Sequence, residues 1–87
     1  MNLSKSDERC VFFARCCQEY RVDPYKLAEL CAASRAAMSA IERDSSRADE
    51  RRRRVEQVAG LLGWSVDWPS KVPHFKNYNG IELRIPF

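Results

Sequence analysis

The sequence predicts a mainly α chain of four to five short helices, followed by a C-terminal β-hairpin. Three observations predict it. Apolar residues recur at three- and four-residue steps in blocks between positions 10 and 62. Helix-start residues (Ser6, Asp23-Pro24, Ser34 and Ser46) stand at the heads of those blocks. After Pro69 and Pro73 the period changes to two, with Asn79-Gly80 inside the alternating stretch.

The chain has 87 residues, the size of one domain with one core. It is 45% apolar and 31% charged, an ordinary globular composition. A core this small is often extended by oligomerisation. The net charge of +3 is mildly basic and does not by itself name a partner. No run of 18 apolar residues exists, which argues against a transmembrane helix and a membrane partner. Met1 to Asp7 lacks an apolar signal segment, so the expected location is cytoplasmic.

In the first block, Phe13, Cys16, Cys17 and Tyr20 share one helix face, and Val22 follows as a core contact. Asp23-Pro24 opens the second helix. The carboxylate can accept a first-turn amide, and proline suits the first helical position because its missing N–H needed no partner there. Leu27, Ala28, Leu30 and Cys31 form its apolar side. Ala32-Ala33-Ser34 reads as a tight connection, with Ser34 capping a third helix. Met38 and Ile41 are that helix's expected buried pair. Asp44 to Arg47 reads as a loop, and Ser46 with Asp49 resembles a capping box. The fourth helix buries Val55, Val58, Ala59 and Leu62. Gly63 ends it, with Trp64 and Val66 packing beyond. Strands are expected at Pro73–Tyr78 and Ile81–Ile85, joined by Asn79-Gly80.

Cys10, Cys16, Cys17 and Cys31 show no paired ligand spacing, and His74 stands alone. They read as reduced core cysteines, with no metal and no cofactor expected. No nucleophile–base set or phosphate-binding glycine loop is present, so an enzyme is not expected.

Two short helices joined by small residues form the mechanical unit of helix-turn-helix DNA readers. The run from Leu27-Ala28-Glu29-Leu30 through Ser34-Arg35 to Met38, Ile41, Glu42 and Arg43 closely resembles the lambda-repressor-like (Cro/cI, XRE) helix-turn-helix family. Val58-Ala59-Gly60-Leu61-Leu62-Gly63-Trp64-Ser65-Val66 resembles that family's following helix and its exit. The resemblance spans about residues 10 to 68. It divides the chain into a DNA-binding domain, 7–68, and a hairpin extension, 69–87. It implies base readers at Arg35, Ala36, Ser39 and Ala40, and phosphate contacts from Tyr25, Lys26, Ser34, Arg43, Arg47 and Arg51. Among the readers, Arg35 can bind guanine through two hydrogen bonds, Ser39 can donate or accept one, and each Ala can only touch a thymine methyl. The chain departs from the pattern at two places. Ala32 stands where members commonly have Gly, and Pro24 where they often have Gln. Four consecutive arginines, Arg51 to Arg54, spread round a helix and cannot all face DNA.

A lone hairpin is marginal in water, so the tail must pack on the helices or on a second chain. Its apolar side offers Ile81, Leu83 and Ile85, alternating with Glu82, Arg84 and Pro86. The family resemblance implies a dimer through these residues. The function expected is a homodimeric transcription regulator, a repressor of the Cro or prophage kind acting on palindromic double-stranded DNA. One alternative is an antitoxin that binds a toxin through the tail or the first seven residues. Another is a protein-interaction module using the Ala-rich third helix.

Overall fold

A computed structural model of the chain describes residues 5–85 and 87. Residues 1–4, part of the segment offered above to a partner, lie outside the described residues, as does Pro86. In order, the elements are α1 (Lys5–Glu19), α2 (Pro24–Arg43), α3 (Ser45–Leu61), β1 (Ser65–Asp67), β2 (His74–Lys76) and β3 (Glu82–Leu83). The fold is mainly helical, with a small three-stranded antiparallel sheet. Three helices replace the four to five expected.

The count differs because the second and third expected helices are one. α2 runs without interruption for 20 residues, so the turn expected at Ala32-Ala33-Ser34 is absent. Nothing there favours leaving the helix. Ala is the best helix former, and no residue in the stretch tolerates left-handed backbone. Ser34, expected as an N-cap, lies mid-helix and fully buried. Its hydroxyl donates to the Leu30 carbonyl at 2.7 Å, one turn back. The helix start is as expected. Asp23 Oδ1 accepts the Tyr25 amide at 2.9 Å, with Pro24 at the first position.

Continuity changes which residues face inward. Leu27, Leu30, Cys31, Ser34, Ala37 and Ala40 are buried. Ala28 is exposed, and Met38 and Ile41 are only half-buried. Small Ala37 and Ala40 on α2 and Ala48 on α3 are buried as the chain passes from one helix to the next.

α3 buries Val55, Val58 and Ala59, with Leu62 partly covered. Its end was legible. Gly63 takes φ 76, the Trp64 amide reaches back to the Ala59 carbonyl at 2.9 Å, and the Gly63 amide to Gly60 at 3.0 Å. This is a Schellman cap, with Trp64 packed into the same core as Ala59. The start differs. Ser46 does not close a capping box with Asp49; its hydroxyl donates to Asp44 Oδ1.

The sheet is larger than the hairpin expected. β1 adds to it, pairing Val66 with Phe75, and β2 pairs Phe75 with Leu83. The hairpin loop is also one residue longer. Asn77 pairs with Ile81, and Gly80 holds φ 81, so the loop is Tyr78-Asn79-Gly80. Asn77 enforces this by accepting the Asn79 and Ile81 amides on its side-chain oxygen. Phe75, Leu83 and Ile85 enter the same core as Leu27, Leu30, Val55, Val58 and Trp64. The tail therefore covers this chain's own helices. Burying Phe75 and Leu27 completely contributes roughly 1.5–3 kcal/mol each.

Candidate nucleic-acid interface

The outer face of α2 is the surface to test against the expected readers. Arg35, Ser39 and Arg43 stand on successive turns and are all exposed. They form one line about 12 Å long at 1.5 Å rise per residue. Exposed Ala28 and Ala32 and half-buried Ala36 lie beside this line. Small neighbours let a groove wall or another helix approach the backbone while the longer side chains reach past it. Ala40, expected among the readers, is instead 9% exposed and packed inward. The continuous helix carries it round to the α3 side.

The expected phosphate contacts divide in the same way. Tyr25 is 85% exposed at the head of α2, and Arg43 and Arg51 are exposed with no ion pair among the described residues. Arg47 is exposed but sits 3.7 Å from Asp44. Lys26 is half-buried and 3.8 Å from Glu29. Ser34 is withdrawn altogether, since its hydroxyl is buried and already spent. Exposed ion pairs of this kind contribute about 0–1 kcal/mol, so Lys26 and Arg47 can exchange partners cheaply.

Of the arginine run, two members hold structure. Arg54 pairs with Glu29 on α2 and also donates to Gln57 at 3.0 Å, tying the two helices. Arg52 lies 5.5 Å over the Trp68 ring and 3.6 Å from Asp49. A guanidinium over an indole contributes roughly 0.5–1 kcal/mol, more when desolvated. Arg51 and Arg53 are left in solvent.

Charge is distributed unevenly. Residues 35–54 hold seven of the fifteen bases and four of the twelve acids, which is the whole net charge of +3. The remaining eight bases and eight acids cancel. Sequence reasoning missed one cation beside α2. Burial raises the Cys31 thiol pKa, and Arg35 and Arg9 both pull it back, so Arg9 on α1 lies within electrostatic reach of Cys31 on α2. Only the packing of α1 could have shown that.

Of the remaining cysteines only Cys16 is a core residue; Cys17 is half-buried, and Cys10, expected in the core, lies at the surface. Burial lifts the Cys16 thiol to about 11, with Cys17, Glu19 and Cys31 adding to the rise. No group of three His, Cys, Asp or Glu able to hold a metal occurs among the described residues. No described helix is long and apolar enough to cross a membrane.

Of the expected dimer residues, Leu83 and Ile85 are buried in this chain, whereas Ile81 is half exposed. Among the described residues β3 pairs only with β2, which leaves its other edge open to pairing. That edge borders a groove of about 440 Å³ shared with α1, where Val11 and Phe12 line the wall.

Fold and surface define a small mainly α protein with a basic helical corner and a small sheet whose edge strands are β1 and β3. No family model, curated protein or solved structure matches this chain.

Proposed function

We propose that the protein binds double-stranded DNA through the outer face of α2, as a homodimeric, sequence-specific transcription regulator. The observation that carries this reading is the charge distribution. All the net charge falls in residues 35–54, around the exposed line Arg35, Ser39 and Arg43. A B-DNA major groove about 12 Å wide admits one helix, broken or not. In this reading Arg35 and Ser39 face base edges and Ala36 makes only apolar contact. Arg43, Arg47, Arg51 and Tyr25 neutralise or bond phosphates.

The dimer in this reading uses the edge of β3 rather than the side chains of Leu83 and Ile85. Antiparallel pairing about a two-fold axis at Leu83 would set Glu82 opposite Arg84 of the second copy, twice, and cover Ile81. Opposite charges directly across a strand pair stabilise it by about 0.2–1 kcal/mol. Sedimentation of wild type against Glu82→Lys tests it. The variant sets like charges across the axis and is expected to be monomeric at concentrations where wild type is dimeric.

The uninterrupted α2 favours a second reading, a protein-interaction module that docks its alanine-rich face on a partner. A mobility-shift titration against the protein's own upstream DNA, with excess competitor and varied salt, separates the two. Specific binding that weakens with salt supports the DNA reading. Absence of any shift by folded protein overturns it in favour of the module. Arg35→Ala is expected to reduce discrimination between sites by about 1–3 kcal/mol. Arg47→Ala is expected to weaken all sequences alike and to flatten the salt slope by roughly one phosphate contact.

A further inference from the structure

A cavity of about 360 Å³ opens where the α1–α2 connection, the exit from α3 and the hairpin tip meet. Buried Val22 and Trp64 line it, and Tyr78, 85% exposed, borders it. Two features set it apart from the rest of the surface. The first is Asn77, only 5% exposed. Its side-chain oxygen accepts the Asn79 amide at 2.9 Å and the Ile81 amide at 3.0 Å, which fixes which end of the amide is nitrogen. That nitrogen, Nδ2, has no acceptor among the described residues. Buried donors are nearly always paired, so an unspent one beside a cavity calls for an acceptor from outside.

The second feature is Arg21. Its φ of 52 is a left-handed conformation that costs a non-glycine residue about 1–2 kcal/mol. The strained residue lines the same cavity, is exposed, and has no ion pair among the described residues. The one carboxylate facing the cavity, Glu19, has a counter-ion in Arg15 at 3.8 Å.

We propose that this cavity binds a small aromatic carboxylic acid. Its carboxylate accepts from Asn77 Nδ2 and pairs with the Arg21 guanidinium, and its ring lies against Tyr78 and Tyr20. The lining supplies an unpaired donor and a full positive charge, which together select an anion over a neutral carbonyl. The flanking rings select a flat body. The volume is at the lower end of the roughly 300–1,000 Å³ that small-ligand sites span.

The test is a titration of isotope-labelled protein with benzoate, followed by amide and indole NMR shifts, with benzyl alcohol as the uncharged comparison. Benzoate is expected to give saturable shifts at the Trp64 indole and at the Asn77 and Tyr78 amides, in roughly the millimolar range suited to so small a ligand. Arg21→Gly suits the backbone there and keeps the fold, yet is expected to weaken benzoate about tenfold. Tyr78→Ala weakens it further. Lys76→Ala, on the outer face of the sheet, leaves affinity unchanged. Three results would each overturn the proposal: no saturable shift at those positions, benzyl alcohol binding as tightly as benzoate, or unaltered affinity in Arg21→Gly. The assay contains no DNA, so its failure leaves the DNA reading standing.

Discussion

Two of the places that read as helix ends, Ala32–Ser34 and Gly60–Trp64, behave differently: the helix runs through the first and ends at the second. At Gly63 the backbone turns left-handed and two amides find replacement carbonyls. At Ala32–Ser34 no residue can make that turn freely, and the serine that could have capped a new helix bonds backward to Leu30. A helix ends where the orphaned backbone groups have somewhere to go. Small residues alone do not provide it.

The largest test of this contrast is Arg35→Pro. In an unbroken helix proline removes a hydrogen bond and clashes with the preceding turn, at about 3 kcal/mol or more. Were Ser34 an N-cap, position 35 would be the first helical residue, where proline is welcome. Denaturant unfolding is therefore expected to show a severe loss, and tolerance would restore the two-helix reading. Gly63→Ala comes next. Adding a side chain at φ 76 is expected to cost about 1–2 kcal/mol, although the space around it is open. Gly60→Ala should act oppositely, because Gly60 is helical with nothing near its missing side chain. A gain of about 0.5–1 kcal/mol is expected in the same measurement. The smallest effect is the most discriminating in sign. Ser34→Ala is expected to be neutral or to stabilise by up to about 0.5 kcal/mol, because alanine is the better helix former. A loss of about 1 kcal/mol would instead mark a working N-cap.

The buried thiols add a pH dependence. The folded Cys16 pKa of about 11 lies above the ordinary thiol value of 9.0, so the folded state holds its proton longer than the unfolded one. The stability this represents is complete below pH 9 and declines as pH rises towards about 11. The denaturation midpoint should fall across that window, and Cys16→Ala should flatten the fall.

Much of the fold was readable wherever one residue type answers one backbone need. Asp23-Pro24 and Gly63 are examples, and the stripe Val55, Val58 and Ala59 follows from spacing. The continuity of α2 was not readable, because Ala-Ala-Ser serves a helix interior and a short connection equally well. β1 was missed although Trp64-Ser65-Val66-Asp67-Trp68 alternates. A strand of three residues has too few repeats to stand out. The hairpin loop was misplaced by one residue because the Asn77 side chain, rather than Asn79-Gly80 alone, closes it. The candidate surface was legible in part for the same reason. Arg35, Ser39 and Arg43 are exposed in either reading. Ser34 and Ala40 owe their burial to the helix continuing and to α3 returning beside it.

The uneven charge has a consequence for how the molecule meets other bodies. A chain whose whole surplus of base falls in one twenty-residue stretch, with the other bases and acids equal in number, carries its net charge unevenly along its length. A negatively charged surface of any chemistry would receive it corner first, at a rate that falls with ionic strength. On a cation-exchange bead, the sheet and its open edge would be left facing the solvent.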